Sequence, residues 1–201
     1  YLYRLIEPFI FESKLSLSVG QQHIDLPYQL SDDEIEEHNN LKEKYLDDKL
    51  LQAKNNNIFL EITQKMQHNY SLSDEKFRIV DKLLSEIDKS KVLIYAKYIN
   101  TQNVIKEYYK DVEIKSINKH AYGLNLQDYN VIIFWDKTWD YAQREQIERR
   151  VFRTGQTNDC IYYDLTGNVG LENMINKNIE RKRNLLDVFA EMSVEQLKKE
   201  L

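Results

Sequence analysis

Between Lys91 and Asp164, short runs rich in β-branched and aromatic residues alternate with stretches of helical composition. Lys91-Val-Leu-Ile-Tyr-Ala96, Val112 to Ile117, Val131-Ile-Ile-Phe-Trp135 and Cys160-Ile-Tyr-Tyr-Asp164 have the length of buried strands. A helix is predicted from Thr101 to Lys110, with Val104, Ile105 and Tyr108 inward, and another from Tyr141 to Phe152. Strands alternating with helices predict an α/β fold with a parallel, doubly wound sheet. Right-handed crossovers then bring the strand ends and their loops to one edge, where ligands bind.

The helix after the third of these strands carries Gln146, Arg150 and Arg153 at i, i+4 and i+7. That spacing puts one amide and two guanidiniums on one face. Three planar donors in a row suit a polyphosphate bound from outside the helix. A plainer reading is a solvated face, with internal ion pairs among Arg144, Glu145, Glu148, Arg149 and Arg150. Gly155 is placed to end the helix as a C′ glycine.

Before Lys91 the chain reads mainly as helix. Gln21 to Tyr28 is expected to be a strand ending at Pro27. Ser31 and Glu34 form a capping box that opens a helix to about Lys54. Asn55-Asn-Asn57 is expected to break the chain. A second helix near Ile58 to His68 puts Ile58, Ile62 and Met66 on one face. Ser71 to Ser73 cap a third, with Phe77, Val80, Leu84 and Ile87 along a stripe. A closing helix is expected from Leu171 to Phe189, carrying Arg181-Lys182-Arg183, and a short one after Ser193. Asp32-Asp-Glu-Ile-Glu36 imitates an acidic Mg²⁺ motif. A serine cap precedes it, so its acids are expected at a helix N-terminus, where the dipole favours them.

The composition limits the chemistry. The 201 residues carry a net charge of −5, with no global basic footprint for nucleic acid. The charge is uneven: residues 1–90 hold 11 basic and 17 acidic side chains, residues 91–201 hold 17 and 16. A single cysteine, Cys160, excludes an internal disulfide. The four histidines are scattered and give no metal-ligand spacing. No apolar run is long enough to span a bilayer. None of the five glycines fits G-x-x-x-x-G-K-[ST], so the chain has no phosphate-cradling loop of its own. It opens Tyr-Leu-Tyr-Arg without methionine, as expected of a piece of a longer protein.

Asp136, Trp139, Asp140, Tyr141, Gln146, Arg150, Arg153, Gly155 and Gln156 together resemble the last helicase motif of the Swi/Snf family of ATP-dependent DNA translocases. That motif reads roughly D-x-x-W-N-P, four residues, then Q-A-x-x-R-A-H-R-I-G-Q. The departures are Asp140-Tyr141 for Asn-Pro, Phe152 for His and Thr154 for Ile, and none removes a guanidinium. Gly123-Leu-Asn-Leu126 is similar to the family's G-L-N-L loop, and Lys91 to Tyr98 to its K-V-L-V-F-S-Q-Y strand. Ile6-Glu-Pro-Phe-Ile-Phe-Glu12 resembles the segment linking the two motor lobes, without its two arginines. The family has one more β–α unit between the K-V-L strand and the G-L-N-L loop. Its turn helps grip the DNA backbone, and it is missing here.

The resemblance implies a RecA-like fold with one β–α unit missing, preceded by a mainly helical segment. It implies a connector and strand over 1–30, a helical segment over 31–90, the core of a C-terminal RecA-like lobe over 91–167 and C-terminal helices over 168–201. ATP and Mg²⁺ would be held mainly by an N-terminal RecA-like lobe of the same protein, absent from this chain, with double-stranded DNA across both lobes. Arg150 and Arg153 would be arginine fingers, with Gln146, Gly123 and Asn125 at the nucleotide and Lys97, Lys119 and His120 on the DNA backbone. Trp139 is expected to pack under the arginine helix and set its angle. No membrane role is implied. The cytoplasm of a bacterium or phage-infected cell is expected from the Asn- and Lys-rich composition, or the nucleus in a eukaryote. A strand-separating helicase lobe and a degenerate RecA-like binding module without ATPase role are the alternatives.

Overall fold

The computed structural model of the protein describes residues 18–45, 56–117, 126–180 and 191–200. In chain order these form β1 (Gln21–Tyr28), α1 (Asp32–Tyr45), α2 (Asn56–Asn69), α3 (Asp74–Glu86), β2 (Val92–Ala96), α4 (Ile99–Tyr108), β3 (Glu113–Ser116), β4 (Val131–Phe134), α5 (Tyr141–Val151), β5 (Cys160–Gly167), α6 (Gly170–Glu180) and α7 (Val194–Glu200).

The five strands make one all-parallel sheet in the order β1-β5-β4-β2-β3. Every residue of β2 and β4 is buried, which is why both read as unbroken apolar runs rather than alternating ones. Alternate residues feed two cores. Val92, Ile94, Val131, Ile133 and Leu165 face Val80 and Leu84 of α3 and Ile105 of α4. Leu93, Tyr95, Ile132, Phe134 and Tyr162 face Ile147 and Val151 of α5. A third cluster joins Phe59, Ile62 and Met66 of α2 to Leu171, Met174 and Ile175 of α6 and Leu197 of α7.

The strand expected at Gln21–Tyr28 joins this sheet as an edge, paired with β5 from Gln21↔Cys160 to Tyr28↔Gly167. That pairing extends β5 to Gly167, three residues past the apolar run that marked it in the sequence. The Ser31–Glu34 capping box forms reciprocally, at 2.8 and 3.2 Å, so Asp32, Asp33 and Glu34 occupy the first turn of α1. The expected extension of α1 to Lys54 lies outside the described residues, as do Leu2 to Phe11 and Arg181-Lys182-Arg183.

Several local expectations are corrected. Asn56 and Asn57 belong to α2 rather than to a break. Ser73 precedes α3 without capping it, because its hydroxyl donates to the Glu34 carboxylate at 3.2 Å. On α4, Val104 and Tyr108 are 37% and 58% exposed, and the inward face is Thr101, Gln102 and Ile105, continued by Tyr109. Hydrogen bonding makes that face burial-competent: Thr101 meets the Ser71 hydroxyl at 2.7 Å and the Gln102 amide donates to the Ala96 carbonyl at 3.2 Å. Gly155 does not end α5. The helix stops at Val151, and Gly155 takes its positive φ of 99° in the turn beyond.

Candidate functional site: the arginine helix and its supports

Helix α5 begins where β4 leaves the sheet. Asp140 is its N-cap, its carboxylate accepting from the amides of Ala142 and Gln143 at 2.9 and 3.3 Å. Aspartate and asparagine cap equally well, so Asp140 in place of the family's Asn costs the helix nothing. At the far end the Phe152 amide donates to the Glu148 carbonyl at 2.8 Å. Gln146 and Arg153 are exposed and Arg150 is half-buried. Burial raises the Tyr95 phenol to a pKa of about 12, and the positive charge of Arg150 opposes that rise, so Arg150 lies towards β2.

The end of α5 is bound to the segment that leads into β4. Leu126, last residue of the G-L-N-L stretch, donates its amide to the Arg150 carbonyl at 3.4 Å. The Gln127 side chain donates to the Thr154 carbonyl. Gln156 is 6% exposed, and its amide nitrogen donates to the carbonyls of Val151, Gln127 and Tyr129 at 3.3, 3.2 and 3.0 Å. Its oxygen accepts from Thr157 and Asn158 at 3.0 and 3.1 Å. Gln156 therefore clamps the loop to the helix end. The expected nucleotide residues Gly123 and Asn125 lie outside the described residues, as do the expected DNA contacts Lys119 and His120.

The inner face of α5 is anchored by Arg144, which is 3% exposed. Its guanidinium binds both carboxylate oxygens of Asp164 on β5, one at 2.9 Å, and its Nε meets Glu148 at 2.5 Å. The same group lies 3.4 Å from the centre of the Phe134 ring on β4. Burial pushes Asp164 and Glu148 up. At Asp164 the charge and hydrogen bonds of Arg144 outweigh it; at Glu148 a hydrogen bond from His23 acts with Arg144, and both carboxyls lie below their usual values. Arg144 stood out in the sequence only as one charge among five; nothing local marked Asp164 as its partner. Beside it, an open cleft of about 550 Å³ is lined by Tyr141, Glu145, Arg149, Phe152 and Arg153 among others.

The residues following β4 are a structural hub. Asp136 is 4% exposed and receives the Ser71 hydroxyl at 2.7 Å, the Lys97 amide at 3.0 Å and Lys76 Nζ at 3.4 Å. Lys137, 1% exposed, donates to Thr166 and Asn176. Trp139 does not lie under the arginine helix. Its ring joins the cluster of α2, α6 and α7, because β4 exits the sheet towards those helices. Lys97, the expected DNA contact, caps that ring at 3.2 Å and donates to Gln67 at 3.1 Å.

No family model matches the chain. Over 80 residues, 40% of this chain, it is 34% identical to Helicase SWR1 of Candida glabrata. Over 97 residues it is 31% identical to Helicase SWR1 of Saccharomyces cerevisiae. The chain spans 6% of the length of each of these relatives. They are fungal, and nothing in them supports the bacterial or phage source suggested by composition. Among solved structures, the Sulfolobus solfataricus SWI2/SNF2 ATPase core domain superposes with a TM-score of 0.67 at 18% identity, over 90% of this chain and 48% of that one. The same core in complex with double-stranded DNA gives 0.62 at 17% identity, over 98% of this chain and 52% of that one. The chain thus has the fold of the SWI2/SNF2 ATPase core, a parallel RecA-like sheet flanked by helices, and over 40% of its length it is similar in sequence to Helicase SWR1.

Proposed function

We propose that the chain is the C-terminal motor lobe of an ATP-dependent DNA translocase, completing a nucleotide site whose phosphate-binding loop belongs to an N-terminal lobe of the same protein. The observation that carries this reading is the bond from the Leu126 amide to the Arg150 carbonyl, which fastens the exit of the G-L-N-L loop to the end of the arginine helix.

The residues present fit a bound polyphosphate. Gln146 and Arg150 lie one turn apart on α5, Arg153 follows two residues past its end, and the exposed Arg153 is drawn into no ion pair among the described residues. Bound ATP with Mg²⁺ would supply the transferable γ-phosphoryl group. Arg150 and Arg153 would offset the charge that develops on its oxygens, and Gln146 would orient it by hydrogen bonding. Gly123 and Asn125 would approach the nucleotide from the loop. Lys119 and His120 remain proposed DNA contacts, and Lys97 would reach DNA only by leaving the Trp139 ring. The superposed SWI2/SNF2 core in complex with double-stranded DNA supports a duplex as the track.

The test uses two preparations. The 201-residue chain alone is expected to fold and to hydrolyse no ATP, since it holds no phosphate-cradling loop. Joined to its N-terminal lobe, it is expected to show DNA-stimulated turnover that Arg150→Ala or Arg153→Ala lowers by roughly 10³-fold. DNA affinity should change little. Collapse of DNA affinity with turnover intact would make the helix a DNA reader instead.

A further inference from the structure

Two kinds of contact hold α5 to the sheet. Ile147 and Val151 are fully buried against Leu93, Ile132 and Tyr162. Apolar packing of this kind is non-directional and fixes depth better than angle. The second contact is directional. The Arg144 fork binds Asp164 of β5 through both nitrogens, binds Glu148 one turn along its own helix, and stacks on Phe134 of β4. Glu148 in turn meets His23 of β1 at 3.2 Å, and the His23 ring stacks on Tyr162 of β5 with centroids 4.9 Å apart. One guanidinium thus sets the helix against three neighbouring strands.

We propose that Arg144 is the positioning residue of the arginine helix, fixing through Asp164 and Glu148 the angle at which Arg150 and Arg153 are presented. The proposal rests on the motor-lobe reading above. From Arg144 to Arg150 is roughly 9 Å along the axis of α5. A tilt of about 7° at the anchor therefore moves Arg150 by ~1 Å, enough to cost a catalytic group on the order of 10²-fold. Arg144 itself is buried beneath the helix.

Removing Arg144 alone would leave the half-buried Asp164 and Glu148 carboxylates without their cation, so loss of function from misfolding must be separated from loss of aim. The informative variant is Arg144→Gln with Asp164→Asn, in the protein that carries both lobes. The amides can bond each other, and Glu148 keeps His23 as its partner. The expected result is a melting temperature close to wild type, an ATP KM within about twofold, and kcat lowered by on the order of 10²-fold. Recovery of kcat together with stability would overturn the proposal, since Arg144 would then serve packing only. Should the double variant fail to fold, Arg144→Lys decides, because it keeps the charge and loses the fork. Turnover lowered by about 10-fold or more at unchanged melting supports positioning, and normal turnover overturns it. Arg150→Ala is run beside them. If it retains full turnover, the motor-lobe reading has failed; if it is inactive while the double variant is fully active, only the positioning role has.

Discussion

The side-chain nitrogen of Lys97 lies 3.2 Å from the centre of the Trp139 ring. The pair ties the residue that follows β2 to the residue before the N-cap of α5. Gln67 of α2 closes the arrangement, accepting from Lys97 at 3.1 Å and from the Tyr98 hydroxyl at 3.0 Å. Burial outweighs the nearby Asp136 and Glu172 carboxylates and lowers the Lys97 pKa to about 7. A free lysine in the unfolded chain titrates near ~10.4. Between those values the unfolded state binds more protons, so this group makes stability rise with pH from about 7 towards ~10. Urea midpoints measured from pH 6.5 to 9.5 should climb in the wild type. Lys97→Met should flatten that climb, and an unchanged slope would show that Lys97 titrates normally.

Trp139 is 9% exposed, and its indole nitrogen has no hydrogen-bond partner among the described residues. Its contribution is packing against α2, α6 and α7. Trp139→Ala should cost ~3–5 kcal/mol, and Trp139→Phe should recover most of it, since no hydrogen bond is lost. A small shift in the urea midpoint for the alanine variant would place the ring outside the core.

Asp136 gathers Ser71, Lys97 and Lys76 around one carboxylate. Asp136→Ala would strand a lysine whose side chain is 3% exposed. Loss of one partner of a buried pair costs ~3–5 kcal/mol. Denaturant unfolding of Asp136→Ala and Lys76→Met/Asp136→Ala should show the double variant as the more stable of the two.

Gly155 combines a φ of 99° with a space that a Cβ would share with Gln127 Nε2 at 2.7 Å. Gly155→Ala should therefore lose about 1–2 kcal/mol from backbone strain and displace the Gln127 side chain from the Thr154 carbonyl. Thermal melting reads the first effect. Amide exchange at Leu126 reads the second, because the Leu126 bond to Arg150 belongs to the same corner.

The sequence alone determined what depends on neighbours along the chain. The apolar runs marked β2 and β4 within a residue or two, because strands buried on both faces must be apolar throughout. Ser31 and Glu34 announced a helix start because a capping box is local chemistry. Gln146 and Arg150 share a face of α5 because helical spacing dictates it, whereas Arg153, expected on the same face, lies beyond the helix end at Val151. Tertiary structure decided whatever needs a partner far along the chain. The last three residues of β5 are strand because β1 pairs with them across more than a hundred residues of sequence. Thr101 and Gln102 face inward because Ser71 and the Ala96 carbonyl await them. Trp139 packs on α2, α6 and α7 rather than under α5 because of the direction in which β4 leaves the sheet. Arg144 looked like one surface charge among several and became the anchor of its helix only when Asp164 and Phe134 came beneath it, since a buried charge is tolerated where fixed partners satisfy it.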